Sequence, residues 1–174
     1  MKAIILAAGR GTRLKSYCEN KPKCLVEVDG ATLLSRNISV LRNSDYDVTV
    51  VGGYRASQIS ALGVSTIVNE LYESTNMVVS LFCAEKILMH GALITYGDIV
   101  YSPKILSRLT NSPSDISVAV DKNWFAYWSN RMTNPLEDLE SLQINENGDI
   151  IEIGSKASKF QEIEGQYIGL TKVT

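Results

Sequence analysis

The first 23 residues, MKAIILAAGRGTRLKSYCENKPK, constrain the fold more than any other stretch of the chain. An apolar run from Ala3 to Ala8 stops at Gly9 and Gly11. The run is too short for a helix of any length and reads as a buried strand. The glycines let the backbone turn sharply and come close to a ligand. Arg10, Arg13, Lys15, Lys21 and Lys23 follow in the same loop. Strand, glycine loop and fixed positive charge together suit a polyphosphate. The plain alternative is a surface loop with scattered charge.

Two other phosphate loops are excluded by spacing. A Walker A loop needs Gly-Lys-Ser/Thr, which occurs nowhere in the chain. The dinucleotide fingerprint needs G-x-G-x-x-G, and Gly9-Arg10-Gly11-Thr12-Arg13-Leu14 ends on leucine where close helix packing wants glycine or alanine. The loop should therefore hold phosphates with side-chain cations as well as backbone N–H groups.

Composition narrows the partners. A net charge of −2 gives no reason to expect nucleic acid or a membrane surface. No stretch approaches the ~20 apolar residues of a membrane span, so no membrane insertion is expected. The apolar run is too short for the core of a signal peptide, and a charged loop follows it. Cys18, Cys24 and Cys83 form no C-x-x-C pair, which fits reduced thiols in a cytoplasmic protein. His90 is the only histidine, so a histidine-based metal cluster is excluded.

Along the chain, strands and helices alternate. Cys24 to Val28 reads as a short strand. Thr32 can cap a helix to about Arg42, with Leu33, Leu34, Ile38 and Leu41 on its apolar side. Val48–Val51, Val64–Val68, Ala92–Thr95 and Ile116–Val120 read as further buried strands. Helices are expected at Ser57–Leu62, from Thr75 or Asn76 to about Leu88, and from Pro103 to Leu109. Later, Asn123–Met132 looks helical, and Leu142–Asn145 and Asp149–Ile153 flank Asn147-Gly148, a hairpin signal. Tyr167–Val173 is a last strand. The pattern predicts an α/β fold: a Rossmann-like, doubly wound, mostly parallel (mixed) sheet with helices on both faces and a C-terminal hairpin. With no repeat or linker, residues 1–174 read as a single domain. Ligands of such sheets bind at the carboxyl ends of strands, which places the Gly9 loop, Gly53, Asp98 and Asp121 on one edge.

These residues resemble the sugar-nucleotide type of nucleotidyltransferase, whose signature is L-A-A-G-x-G-x-R-L followed by P-K. Here it stands as Leu6-Ala7-Ala8-Gly9-Arg10-Gly11-Thr12-Arg13-Leu14, with Pro22-Lys23. Glu70–Met77, Gly97–Tyr101, the Trp124, Trp128 and Arg131 set, Pro135–Asp138 and Glu164–Leu170 resemble the cytidylyltransferases that activate phosphocholine, 2-aminoethylphosphonate or phosphoglutamine. The resemblance implies transfer of CMP from CTP to a phosphate or phosphonate acceptor, with release of pyrophosphate, for decoration of a surface polysaccharide or lipid. It also implies Mg²⁺ as cofactor.

The roles implied by the resemblance fall into four groups. Arg13 would hold the triphosphate, Lys23 the α-phosphate and Lys156 the acceptor phosphate. Leu6, Ala7, Ala8, Gly9, Gly11, Thr12, Gly53 and the Ser74-Thr75-Asn76 turn would bind the nucleotide. Thr75 and Asn76 serve equally well as helix caps. Lys122, Trp124, Trp128, Arg131, Glu164 and Gln166 would face the acceptor. The two tryptophans lie on one helical face; they either cage an ammonium or pack a core. Arg131 points to a nearby anion, an acceptor carboxylate or Asp138. Asp98 would hold Mg²⁺; the alternative is a turn or cap residue before Pro103. Relatives continue past this point and supply a second metal carboxylate, so the domain here is expected to lack that C-terminal part, with Asp121 the nearest substitute. A homodimer is compatible with the resemblance. The alternatives are a sugar-1-phosphate nucleotidyltransferase using UTP or dTTP, and a non-catalytic nucleotide-binding module.

Overall fold

The structure is a computed structural model that describes residues 1–174, except the side chains of Lys15 and Ser16. Lys15, counted above among the loop's cations, therefore has a side chain outside the described part. The chain forms two compact units: Met1–Val118 with Gly169–Thr174, and Ala119–Ile168.

The first unit is built on strands whose apolar runs are buried, as parallel strands require. β1 spans Lys2–Ala7, with Ala3, Ile4 and Ile5 fully buried. A 3₁₀ segment follows at Thr12–Cys18 and a second at Lys23–Leu25. The expected strand at Cys24–Val28 is largely absent. Leu25 N–H bonds the Pro22 carbonyl and Val26 N–H that of Lys23, so the chain turns tightly before β2, Glu27–Val28. β2 pairs with β3, Ala31–Thr32. α1, Leu33–Arg42, begins at Thr32, whose hydroxyl accepts from Ser35 N–H at 3.0 Å. β4 is Asp47–Gly52, α2 Ala56–Ser60 and β5 Ser65–Val68. α3 is Met77–Phe82 and α4 Glu85–Leu88, so the single helix expected up to Leu88 breaks at Cys83–Ala84. β6 is Ala92–Tyr96 and α5 Pro103–Thr110, with proline in the first turn where its missing N–H does no harm. β7, Ile116–Asp121, closes this series.

The second unit holds α6, Trp124–Ser129, and the hairpin of β8, Glu140–Ile144, and β9, Ile150–Lys156. Asn145 builds the turn: its side-chain oxygen accepts from Asn147 and Asp149 N–H. β10, Gln166–Val173, runs back into the main sheet.

The six-stranded sheet has the order β5-β4-β1-β6-β10-β7. β1 is parallel to β4 and β6, β4 is parallel to β5, and β10 is antiparallel to β6. The mixed, mostly parallel sheet expected from the sequence is thus present. From β1 the chain steps outward through β4 to β5, then returns to β6 on the other side of β1. Right-handed crossovers then put α1 and α2 on one face and α3–α4 on the other. Packing agrees for the second face: Ile4, Leu6 and Val51 pack with Leu81, Ala84, Ile87 and Leu88. The reversal of strand order lies between β1 and β6, and the crevice beyond their carboxyl ends is where such sheets bind ligands.

Candidate active site

The loop after β1 reaches this crevice. Gly11 takes φ +73°, a left-handed conformation costly for any residue with a Cβ. A Cβ there would also lie 2.8 Å from Lys23 Cβ, so the glycine loop and the lysine segment pack directly together. Gly53 and Gly97 serve close approach instead. A side chain at Gly53 would meet Ala8 O at 2.7 Å and Tyr72 Cβ at 2.5 Å, and one at Gly97 would meet Ala7 Cβ at 2.9 Å. Tyr54 N–H bonds Ala8 O, and Gly97 N–H bonds Leu6 O. The ends of β1, β4 and β6 are therefore locked to one another.

Lys23 Nζ stands 2.5 Å from Asp98 Oδ2, with their side chains 39% and 29% exposed. This is the residue pair that the resemblance assigns to the α-phosphate and the metal, and the fold brings the two side chains into contact. Behind them Cys24 is buried, and loss of solvation pushes its thiol up to about 12, with the Asp98 carboxylate adding to the rise. Arg13 and Thr12 are exposed, and Arg13 has no ion pair among the described residues. Among the described residues no three His, Cys, Asp or Glu side chains gather into a metal cage. A single half-shielded carboxylate fits Mg²⁺, which keeps water and takes ligands from nucleotide phosphates.

Three residues that the sequence reading assigned no role also belong to this region. Tyr54 receives the Arg10 guanidinium 5.3 Å from its ring centroid, and its hydroxyl donates to Glu19 O at 3.1 Å. Tyr72 lies 6.3 Å from Tyr54, ring to ring. Asn37, from α1, donates to the carbonyls of Tyr96 and Ile99. The Tyr after Gly53 and the amide within an apolar stripe were the available signals.

The Ser74–Asn76 turn is committed to its own backbone. Asn76 Oδ1 caps α3 by accepting from Val78 and Val79 N–H. Thr75 Oγ1 donates to Leu71 O and accepts from Asn69 Nδ2, and Ser74 Oγ donates to Leu71 O. The capping alternative holds for Asn76; Thr75 instead ties the turn to Leu71 and Asn69 and caps no helix.

In the second unit the acceptor residues divide. Trp124 is 6% exposed and packs with Leu139, Ala157 and Ile163. It is a core residue, and of the two readings of the tryptophan pair the packing one holds for it. Trp128 is half-buried against that cluster. Arg131 lies over it, 4.9 Å from the centroid, and donates to Tyr127 Oη at 3.3 Å. Arg131 thus faces aromatic rings, and no ion pair to Asp138 exists among the described residues. Lys122 and Lys156 are exposed, with Lys156 inside β9 opposite Glu140. Glu164 accepts from Ile144 N–H at 2.6 Å, and Gln166 donates to Glu140 O at 2.8 Å. Asp121 Oδ1 accepts from Asn123 N–H at 2.8 Å, forming a turn.

Comparison with known proteins points the same way as the geometry. The MobA-like NTP transferase domain matches residues 3–155. The CTP:phosphoglutamine cytidylyltransferase of Campylobacter jejuni is 39% identical across 99% of this chain and 72% of its own length. The choline-phosphate cytidylyltransferase of Streptococcus pneumoniae is 34% identical across 64% of this chain and 51% of its own. Among solved structures, the inositol-1-phosphate CTP transferase from T. maritima superposes with a TM-score of 0.73 at 25% identity, over 99% of this chain and 70% of that one.

Proposed function

The chain belongs to the MobA-like NTP transferase family, and from that premise we propose that it transfers CMP from CTP to a small phosphate or phosphonate acceptor. Acceptors of the phospho-amine, phosphocholine or aminoethylphosphonate type are those its relatives' names support. The observation that carries the reading is the Lys23–Asp98 pair, held 2.5 Å apart at the carboxyl ends of β1 and β6.

The reaction needs little acid–base chemistry. An acceptor oxygen, already anionic, bonds to the α-phosphorus while the bond to the bridging oxygen of the β-phosphate breaks, and pyrophosphate leaves with the electron pair. No proton has to move. Catalysis is then alignment and neutralisation of charge. Arg13, exposed and without an ion pair among the described residues, receives the triphosphate, and Lys23 turns from Asp98 to the α-phosphate. Charged hydrogen bonds of this kind contribute roughly 1.5–3 kcal/mol each. Asp98, with the nucleotide phosphates, would hold Mg²⁺, which would supply further charge neutralisation. The backbone of Leu6–Gly9, Gly11 and Gly53 lies against the nucleotide, with the capped Ser74–Asn76 turn offering shape more than donors. Within the second unit, Lys156 is our candidate for the acceptor phosphate, and Lys122, Trp128, Arg131, Glu164 and Gln166 are our candidates for the rest of the acceptor. The product class fits decoration of a surface polysaccharide or lipid, made in the cytoplasm.

The test is pyrophosphate release with each of the four nucleoside triphosphates against an acceptor panel. CTP should be turned over, and Lys23→Ala and Asp98→Ala should each lower kcat by about 10²–10³. Their unfolding midpoints should stay close to that of the parent chain, because a part-exposed ion pair contributes at most about 1 kcal/mol. Turnover of UTP or dTTP with hexose 1-phosphates, and none of CTP, would replace the reading with a sugar-nucleotide one.

A further inference from the structure

Leu34, Ile38 and Leu41 form the buried stripe of α1, and Asn37 occupies the remaining place in it at 3% exposure. A polar residue at such a position needs partners. Its Nδ2 donates to Tyr96 O at 3.0 Å and to Ile99 O at 3.1 Å. Both partners are carbonyls, so only the NH₂ end of the amide can face them. These two carbonyls bracket Gly97 and Asp98 on either side. Gly97 N–H is tied in turn to Leu6 O at 2.9 Å. Three hydrogen bonds therefore fix a four-residue turn to α1 and β1, and the Asp98 carboxylate projects from it toward Lys23. The other end of the amide gains nothing: Asn37 Oδ1 is buried without a hydrogen-bond partner among the described residues. A leucine here would remove the orphaned Oδ1 but take this donor from both carbonyls, so the amide is kept for the turn it holds and not for packing.

We propose that Asn37 is the positioning residue for Asp98, holding the Tyr96–Ile99 turn so that the carboxylate is aimed before nucleotide and metal arrive. The inference rests on the reading of Asp98 as the Mg²⁺ residue. Outer partners that orient a metal ligand typically change metal affinity by about 10–100-fold when removed.

The experiment is calorimetric CTP binding, with and without Mg²⁺, for the parent chain, Asn37→Leu, Asp98→Ala and the double variant. In the parent, Mg²⁺ should tighten CTP binding. Asn37→Leu should lose about tenfold of that gain while its Mg²⁺-free affinity stays nearly unchanged. The double variant should lose no more than Asp98→Ala alone, because one residue acts through the other. Equal losses with and without Mg²⁺, or additive losses in the double variant, would overturn the proposal. Asn37→Ser, whose hydroxyl is too short to bridge both carbonyls, should show a smaller loss of the same kind. If neither variant folds, Asn37 is a core residue and the proposal fails. An Asp98→Ala chain that keeps the full Mg²⁺ gain would instead refute the metal reading itself, an outcome separate from any result at Asn37.

Discussion

Lys23 and Cys24 are neighbours with opposite fates. Lys23 reaches the crevice and pairs with Asp98, while Cys24 turns inward and is 3% exposed. The tight turn after Pro22 produces both, since it points successive side chains in different directions. With the Cys24 thiol pushed up to about 12 by burial, almost none of it is thiolate at pH 8, and thiolate is the reactive form. Iodoacetamide at pH 8 should therefore modify exposed Cys83 in the folded chain and spare Cys24 until denaturant is added; peptide mass analysis reads the result. Native labelling of Cys24 would contradict its burial. At this scale the sequence made legible that the glycine loop and Asp98 share one sheet edge, where Gly11 packs on Lys23 and Lys23 meets Asp98; their roles in binding remain a proposal. Asn37 was not read, although its place at the i+3 position from Leu34 marked it as a polar residue in a core stripe. Periodicity reveals that such a residue is buried but not which distant carbonyls it serves.

Among the elements, those announced by a cap or a turn residue matched best. Thr32 starts α1, Asn76 starts α3, and Pro103 opens α5. The short strand expected at Cys24–Val28 failed because its apolar residues follow a proline turn, and burial without periodicity does not specify a strand. α6 shows the limit of spacing alone. Trp124 and Trp128 lie four apart on one face, but the first fills the core of the second unit and the second supports the Arg131 guanidinium. Trp124→Ala should therefore cost about 3–5 kcal/mol, measured by denaturant unfolding followed by circular dichroism. Were Trp124 a wall of the acceptor site, the same substitution would spare stability and raise only the acceptor KM.

At the scale of the molecule, alternation of strands and helices was enough to predict a mostly parallel sheet, and in the order β5-β4-β1-β6-β10-β7 the residues proposed for the nucleotide follow strands on either side of the switch point. The antiparallel entry of β10 beside β6 was beyond that pattern, because strand order depends on long-range pairing that local sequence does not encode. The division into Met1–Val118 with Gly169–Thr174 and Ala119–Ile168 was equally hidden, since the chain leaves the first unit and returns to it without a linker composition to mark either crossing. The central claim, that this sheet edge carries out CMP transfer, is tested most directly by the mass of the product formed from CTP, Mg²⁺ and pooled phosphate and phosphonate acceptors. The account predicts one acceptor raised in mass by a CMP unit, with an equal amount of pyrophosphate. A folded chain that binds CTP yet leaves every acceptor unmodified would contradict it.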